Sequence, residues 1–175
     1  LSLAEFRSQF LGGARPTLYR VTVKFPDGVD GGSASLKLSF DAKVAQIPGA
    51  TINPIQVPYQ GRNIKIAGDR DFQPITLTVI NDSDWKTRTA FERWMNLING
   101  HAENIGATRA TQYQTDFTVE QFDRNGLSLA KYDFVGGFPT DLSTIDLGYE
   151  QIDTIQEYTV TMEYQWWTRG DAGIE

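Results

Sequence analysis

Apolar and polar side chains alternate with a period of two through much of this 175-residue chain, and one long stretch keeps the helical period instead. Leu18 to Phe25 is β-rich and ends at the loose loop Pro26–Ser33. Leu36, Leu38 and Phe40 then alternate with Lys37, Ser39 and Asp41, the pattern of a half-buried strand. Pro48-Gly49 breaks that run, and strands are expected over Thr51–Val57, Arg62–Ile66 and Ile75–Ile80. Further on, Tyr113, Phe117 and Val119 face one way, while Gln114, Asp116, Thr118 and Glu120 face the other. Asn125-Gly126 predicts a tight hairpin turn returning through Leu127–Phe134. Leu142–Leu147 reads as another strand, and Thr154–Trp166 as a long final one, with a mobile tail expected from Thr168.

The helical stretch is Phe91, Trp94, Met95 and Ile98, one apolar stripe at i, i+3, i+4 and i+7. Asn81-Asp82-Ser83-Asp84 supplies capping oxygens ahead of it, and Asn99-Gly100 a left-handed stop, so a helix over about 84–99 is expected. A shorter amphipathic arm is predicted near the start, where Leu3, Phe6, Phe10 and Leu11 fall at roughly helical spacing before Gly12-Gly13. The sum is a mainly β chain: an antiparallel sandwich or barrel of about eight strands with one flanking α-helix. No repeat or long linker divides it, so 1–175 reads as a single domain with 1–13 as arm, 14–167 as core and 168–175 as tail.

Composition narrows the chemistry. A hydrophobic share of 40% with 12% aromatics suffices for a core and favours strands. The absence of cysteine removes disulfides, thiolate metal sites and thiol nucleophiles, and is compatible with assembly in a reducing cytoplasm. No apolar run approaches the ~18 residues of a membrane-spanning helix. The start at Leu1 is read as a trimmed end without signal-peptide form. The net charge of −6 is unevenly spread: residues 1–109 carry 13 basic and 10 acidic side chains, residues 110–175 carry 3 and 12. Such an acidic second half is unsuited to holding phosphate chains by counterion release.

No catalytic constellation emerges. His101 is the one histidine and reads as a solvated loop residue after the helix. There is no Gly-x-Ser-x-Gly elbow and no P-loop lysine after Gly12-Gly13. Asp82-x-Asp84 and Asp146-x-x-x-Glu150 misplace the glycine and final glutamate of a calcium loop. Asn81-Asp82-Ser83 matches a glycosylation sequon but is better explained as a helix cap. One unusual stretch remains: Gly68-Asp69-Arg70-Asp71 reads as a turn with mixed charges, following Arg62 and Lys65. It is either a solvated tip or an ion-pairing surface toward a neighbour.

Taken in order, several motifs resemble the tail tube protein family of contractile-tailed bacteriophages, over roughly Ala14 to Trp167. They are Ala14-Arg15-Pro16, Ala45-Gln46-Ile47-Pro48-Gly49, Val57-Pro58, Arg62-x-Ile64-x-x-Ala67-Gly68-Asp69-Arg70-x-Phe72, Thr76-x-Thr78-Val79-x-Asn81-Asp82, the helix with Trp94, Gly137-Phe138-Pro139-Thr140, and Ile155-Gln156-Glu157-Tyr158-x-Val160 leading to Trp166-Trp167. Ile75-Thr76 departs from the family's frequent Trp-Thr, and the Gly28–Ser35 loop is expanded. The resemblance implies hexameric rings with a continuous luminal barrel, stacked into a hollow tube. It implies no cofactor and no enzyme activity. Its partners would be further copies of the chain, the sheath, the tape measure protein, a baseplate tube initiator and a tail terminator. Double-stranded DNA would pass through without specific binding. On this basis Arg62, Lys65, Asp69, Arg70 and Asp71 are expected at ring-stacking contacts, with Leu3, Phe6 and Phe10 of the arm. Lys37, Ser39, Asp41, Gln114, Asp116, Thr118 and Glu120 are expected along the lumen. A baseplate initiator or the tube of a phage-derived injection device is the near alternative. From another class, a sugar-binding or hydrolytic sandwich using Trp85 or Trp167 is the rival.

Overall fold

The computed structural model describes residues 2–9, 13–29 and 33–170. Helix α1 (Leu3–Gln9) precedes strand β1 (Tyr19–Val23). Helix α2 (Ala34–Asp41) runs into the short β2 (Ala42–Val44), followed by β3 (Thr51–Tyr59), β4 (Arg62–Asp71) and β5 (Ile75–Ile80). Helix α3 (Lys86–Ile98) leads to β6 (Thr115–Phe122), β7 (Ser128–Leu142), β8 (Glu157–Glu163) and β9 (Trp166–Arg169). All pairings are antiparallel. One layer is ordered β1-β6-β7-β9 and the other β7-β8-β5-β2, with β7 shared between them.

The 15-residue β7 joins both layers because it turns a corner. Gly136 adopts a φ of +65°, which β-branched and bulky residues avoid, and a Cβ on Gly137 would lie 2.5 Å from the Phe117 ring. The pairing register shifts there, and again between Pro139 and Asp141. Between the layers, Ile75, Leu77 and Val79 of β5 meet Tyr158, Val160 and Met162 of β8, while the intervening threonines point outward. Phe117 stacks on Phe134 at 4.4 Å, with Tyr164 edge-on to both.

Helix α3 follows the expected stripe: Phe91 and Trp94 are fully buried and Phe25 packs edge-on against both rings. The Trp94 indole donates to the Tyr113 carbonyl at 2.7 Å. Its end differs from expectation, since Asn99 is extended rather than left-handed.

Three other expectations are corrected. Leu142–Leu147 is not a strand, because β7 ends at Leu142 and a loop runs to β8. The long last strand is interrupted at Tyr164-Gln165, and β9 continues to Arg169, past the expected start of the tail. Residues 36–41 are helical, not a strand carrying Lys37, Ser39 and Asp41 on one face. The period of two in Leu36, Leu38 and Phe40 was coincidental. The buried set is Ala34 and Leu38 with part-buried Ala42, spaced i, i+4, i+8, whereas Leu36 and Phe40 are exposed. Among the described residues there are thus nine strands and three α-helices.

Helix α2 is tied to the start of α3 by charge. Lys37 Nζ lies 2.5 Å from Asp82 Oδ2 and 2.6 Å from Asp84 Oδ1, and Thr87 donates to Asp41 Oδ2 at 3.2 Å. The Lys37 ammonium holds both carboxyls below their ordinary range, and they hold it above its own. Burial pushes the Asp41 carboxyl up, against the hydrogen bond from Thr87. Acids depressed in this way stabilise the fold above their unfolded pKa of about 4 and lose that contribution as pH falls through the folded value. Lys37→Met should therefore melt below the parent at pH 7, with the gap closing toward pH 3. A gap independent of pH in thermal melts would assign Lys37 a packing role through its stem instead.

Candidate functional site

The most distinctive surface is the hairpin of β3 and β4, which among the described residues pair with each other and with no other strand. Gln60-Gly61, both with positive φ, close it as a two-residue turn. The pairs Ile55↔Ile66 and Val57↔Ile64, with Tyr59, place five apolar side chains on one face, each 40–61% exposed. Full burial of such side chains stabilises by about 1.5–3 kcal/mol each, so their exposure in one copy is a strong argument for a neighbour. Isolated two-stranded hairpins are marginal in water, which makes the same point.

This geometry places the predicted charged residues together, but differently from the turn read in the sequence. Arg62, Lys65, Asp69, Arg70 and Asp71 all lie exposed on β4, and Asp69-Arg70-Asp71 forms the root of the hairpin, not its tip. An extra residue on β4 opposite Asn53 shifts the register, and a Cβ on Gly68 would sit 2.4 Å from the Asn53 carbonyl oxygen. Arg62 opposes Tyr59 beside the tip turn, on the apolar face, while Lys65 opposes Gln56 on the other. Leu3 and Phe6 are exposed on α1, and Phe10 lies outside the described residues.

A second surface was missed in the sequence, because Leu142–Leu147 was read as strand. The loop 143–156 carries Leu147, Tyr149, Ile152 and Ile155, each at least 71% exposed. It also carries Asp146, Glu150 and Asp153, with no lysine or arginine. Its ends are fixed to the sheet: Ser143 N donates to the Thr159 carbonyl at 2.9 Å, and Asn81 N to the Gln156 carbonyl at 2.8 Å.

The third surface is the outer face of β1-β6-β7-β9. Cross-strand rows run Arg20–Glu120–Lys131 and Thr22–Thr118–Asp133–Thr168. Thr118 donates to Asp133 Oδ1 at 2.8 Å, and Lys131 lies 3.2 Å from the same oxygen. Asp116 is exposed on this strand, its Oδ1 accepting from Gly136 N, and Gln114 sits just before it. Lys37, Ser39 and Asp41 are not part of this face; they belong to α2.

No reaction chemistry is gathered here. A groove of about 1060 Å³ between the end of β1 and the end of α3 has Lys24, Asp27 and Asp116 as its charged lining. Among the described residues no three His, Cys, Asp or Glu side chains converge on a metal position. His101 is exposed in the loop after α3. Trp167 is no open sugar platform, being part-buried and edge-on to Tyr132 at 5.6 Å.

A family model described as phage tail tube protein matches residues 14–170. Tail tube protein gp19 of Enterobacteria phage T4 is 26% identical over 155 residues, covering 88% of this chain and 90% of that protein. The tail tube protein of Serratia phage KSP90 is also 26% identical, over 163 residues, covering 91% and 92%. A chain in the sheath-tube complex of an extracellular contractile injection system in its extended state shares the fold, with a TM-score of 0.65 at 13% identity over 97% of each chain. A chain of the tube-terminating cap of the anti-feeding prophage gives 0.66 at 15% identity, covering 97% and 98%. The chain belongs to the phage tail tube protein family, a family of structural subunits and not of enzymes.

Proposed function

We propose that six copies of this chain close into a ring, and that rings stack head to tail into the hollow tube of a contractile tail. The single observation that carries this reading is the β3–β4 hairpin, whose apolar face is left exposed by the described residues of one subunit. Ring closure is supported by β1 and β9, which end this layer with no further ladder partner among the described residues. Strands alternate in direction through β1-β6-β7-β9, so β1 of one copy meets β9 of the next antiparallel and the layer continues around the ring. Four strands from each copy then wall the lumen, with Asp116, Thr118 and Glu120 facing inward and Gln114 at their margin. Arg20 and Lys131 lie across from Glu120 in this wall. A face so balanced offers few free cations to phosphate, which suits passage of double-stranded DNA without retention.

The outside of the tube would meet a sheath and its ends a baseplate initiator and a terminator, with the tape measure protein inside. Relatives of the same fold occur in a sheath-tube complex and a tube-terminating cap. Electron microscopy of the purified chain tests this proposal. Six-fold rings stacked into tubes are expected, with the β1-β6-β7-β9 layer on the inner wall. Monomers at every concentration and with added sheath would refute the assembly reading. Rings lined by the β5–β8 face would refute the lumen assignment.

A further inference from the structure

Strand β9 stops at Arg169, while its partner β7 runs on. The two pair from Val135↔Trp166 to Tyr132↔Arg169, and Gly170 N extends the ladder by donating to the Lys131 carbonyl at 3.2 Å. Residues 128–130 of β7 pair with β6 on one side and, among the described residues, with no strand on the other. An antiparallel ladder bonds alternate residues to a given neighbour, so Leu129, like Lys131, turns its N–H and C=O toward that open side.

The two faces of this stretch differ in character. Leu129 is exposed on the outer face, which it shares with Lys131 and Asp133, and Leu127 is exposed beside it. On the inner face, with Gln121, Ala130 and Tyr132, lies a pocket of about 740 Å³ bearing Arg15, Arg124 and Arg169. Its one acid, Asp123, is already committed to the hairpin turn, accepting from Asn125 N at 2.7 Å and Leu127 N at 2.9 Å.

The sequence continues past Gly170 as Asp171-Ala172-Gly173-Ile174-Glu175. Five extended residues span about 17 Å, enough to follow β7 back to the Asn125-Gly126 turn. Continuing the β7–β9 register sets Asp171 opposite Ala130, Gly173 opposite Ser128 and Ile174 opposite Leu127. The period of two then puts Asp171 and Glu175 on the face of Arg169 and the pocket, and Ile174 on the face of Leu129. Acids meet arginines and the isoleucine meets leucines. A slip of one residue would reverse both matches.

We propose that residues 171–175 dock as a continuation of β9 on residues 127–130 of their own β7, with Asp171 and Glu175 directed at the arginine pocket. β9 by itself offers an edge of four residues, Trp166–Arg169, and the docked segment lengthens it. In a ring closed by β1 meeting β9, a consequence that rests on the tube reading, the neighbour's β1 gains a longer strand to pair with. Arg15 and Arg124 are exposed, so raised salt weakens the docking.

Disulfide trapping in the cysteine-free chain tests this. Ser128→Cys with Gly173→Cys occupies a non-hydrogen-bonded pair of the proposed register, where Cα atoms about 4.5 Å apart allow a disulfide. Mild oxidation of dilute monomer is expected to close it within one chain, read as thiol loss at monomer mass on non-reducing gels. Ser128→Cys with Ala172→Cys, one residue out of register, should close several-fold more slowly. Adding Arg15→Glu and Arg124→Glu should slow the first pair several-fold, and further adding Asp171→Lys and Glu175→Lys should restore its rate. Thermal melts of each variant before oxidation control for folding. No closure, equal rates in and out of register, or indifference to arginine reversal would each overturn the proposal. A disulfide formed only between chains would overturn it by assigning the segment to a neighbouring copy. A chain ending at Gly170 is expected to form rings only at higher protein concentration than the parent. Unchanged ring formation would remove the segment from the ring edge. Intrachain closure in a chain that forms no rings would leave the docking in place and refute the tube reading.

Discussion

Trp94→Ala is expected to remove about 3–5 kcal/mol of folding stability, the range for truncating a fully buried large aromatic. Trp94 has no solvent exposure, stacks beside Phe91 and meets Phe25 edge-on at 5.5 Å. Its indole N–H also satisfies the Tyr113 carbonyl, at the junction between the post-helix loop and β6. Truncation therefore opens a cavity between α3 and the sheets and orphans that acceptor. Domains are stable by only about 5–15 kcal/mol, so one substitution removes a large share. Chemical denaturation measures it directly. Trp94→Phe, which keeps most of the volume and loses only the donor, should fall between the parent and Trp94→Ala. A loss below about 1 kcal/mol in Trp94→Ala would mean the site collapses freely and α3 does not anchor the sandwich.

Excising the hairpin has the opposite profile: no effect on the fold and complete loss of assembly. Thr51 and Asp71 are paired at the hairpin root, so an Asn-Gly turn can replace residues 52–70 without moving β2 or β5. The removed side chains are exposed and absent from the buried core, so unfolding should change by no more than about 0.5 kcal/mol. Tubes should disappear in negative stain at every protein concentration. If the shortened chain still forms tubes, the hairpin's apolar face is not the stacking contact. If it unfolds, the hairpin docks back on its own core. A sugar-binding sandwich would keep its ligand after this excision, which separates that rival as well.

Much of this protein was legible along the chain, for reasons that differ by element. The alternation in Ile75–Ile80 and in Phe117–Val119 marks half-buried strands because a two-layer sandwich buries every second residue locally. The stripe of Phe91 and Trp94 is as direct, since a helix on a sheet hides one face. Residues 34–42 misled because a short segment can satisfy both periods. Which one is realised depends on the partners Leu38, Lys37 and Asp41 find in the core, in the segment ahead of α3 and on α3 itself. Leu142–Leu147 misled because exposed apolar residues look like a strand until their burial is known.

The charged residues 62–71 stood out from composition alone, as a group of opposite signs beside glycine. By itself the amino-acid order determined the β class, the anchoring helix, the absence of thiol chemistry and the family motifs, all of which depend on neighbours within a few residues. Only the tertiary structure decided that β7 bends at Gly136-Gly137 to serve two layers, and that Asp69-Arg70-Asp71 is the root of a free-standing hairpin. It also decided that this hairpin and the acidic loop 143–156 lie at opposite ends of β5 and β8. Pairing register and distance from the core are set by contacts far apart in the chain, and no local periodicity encodes them.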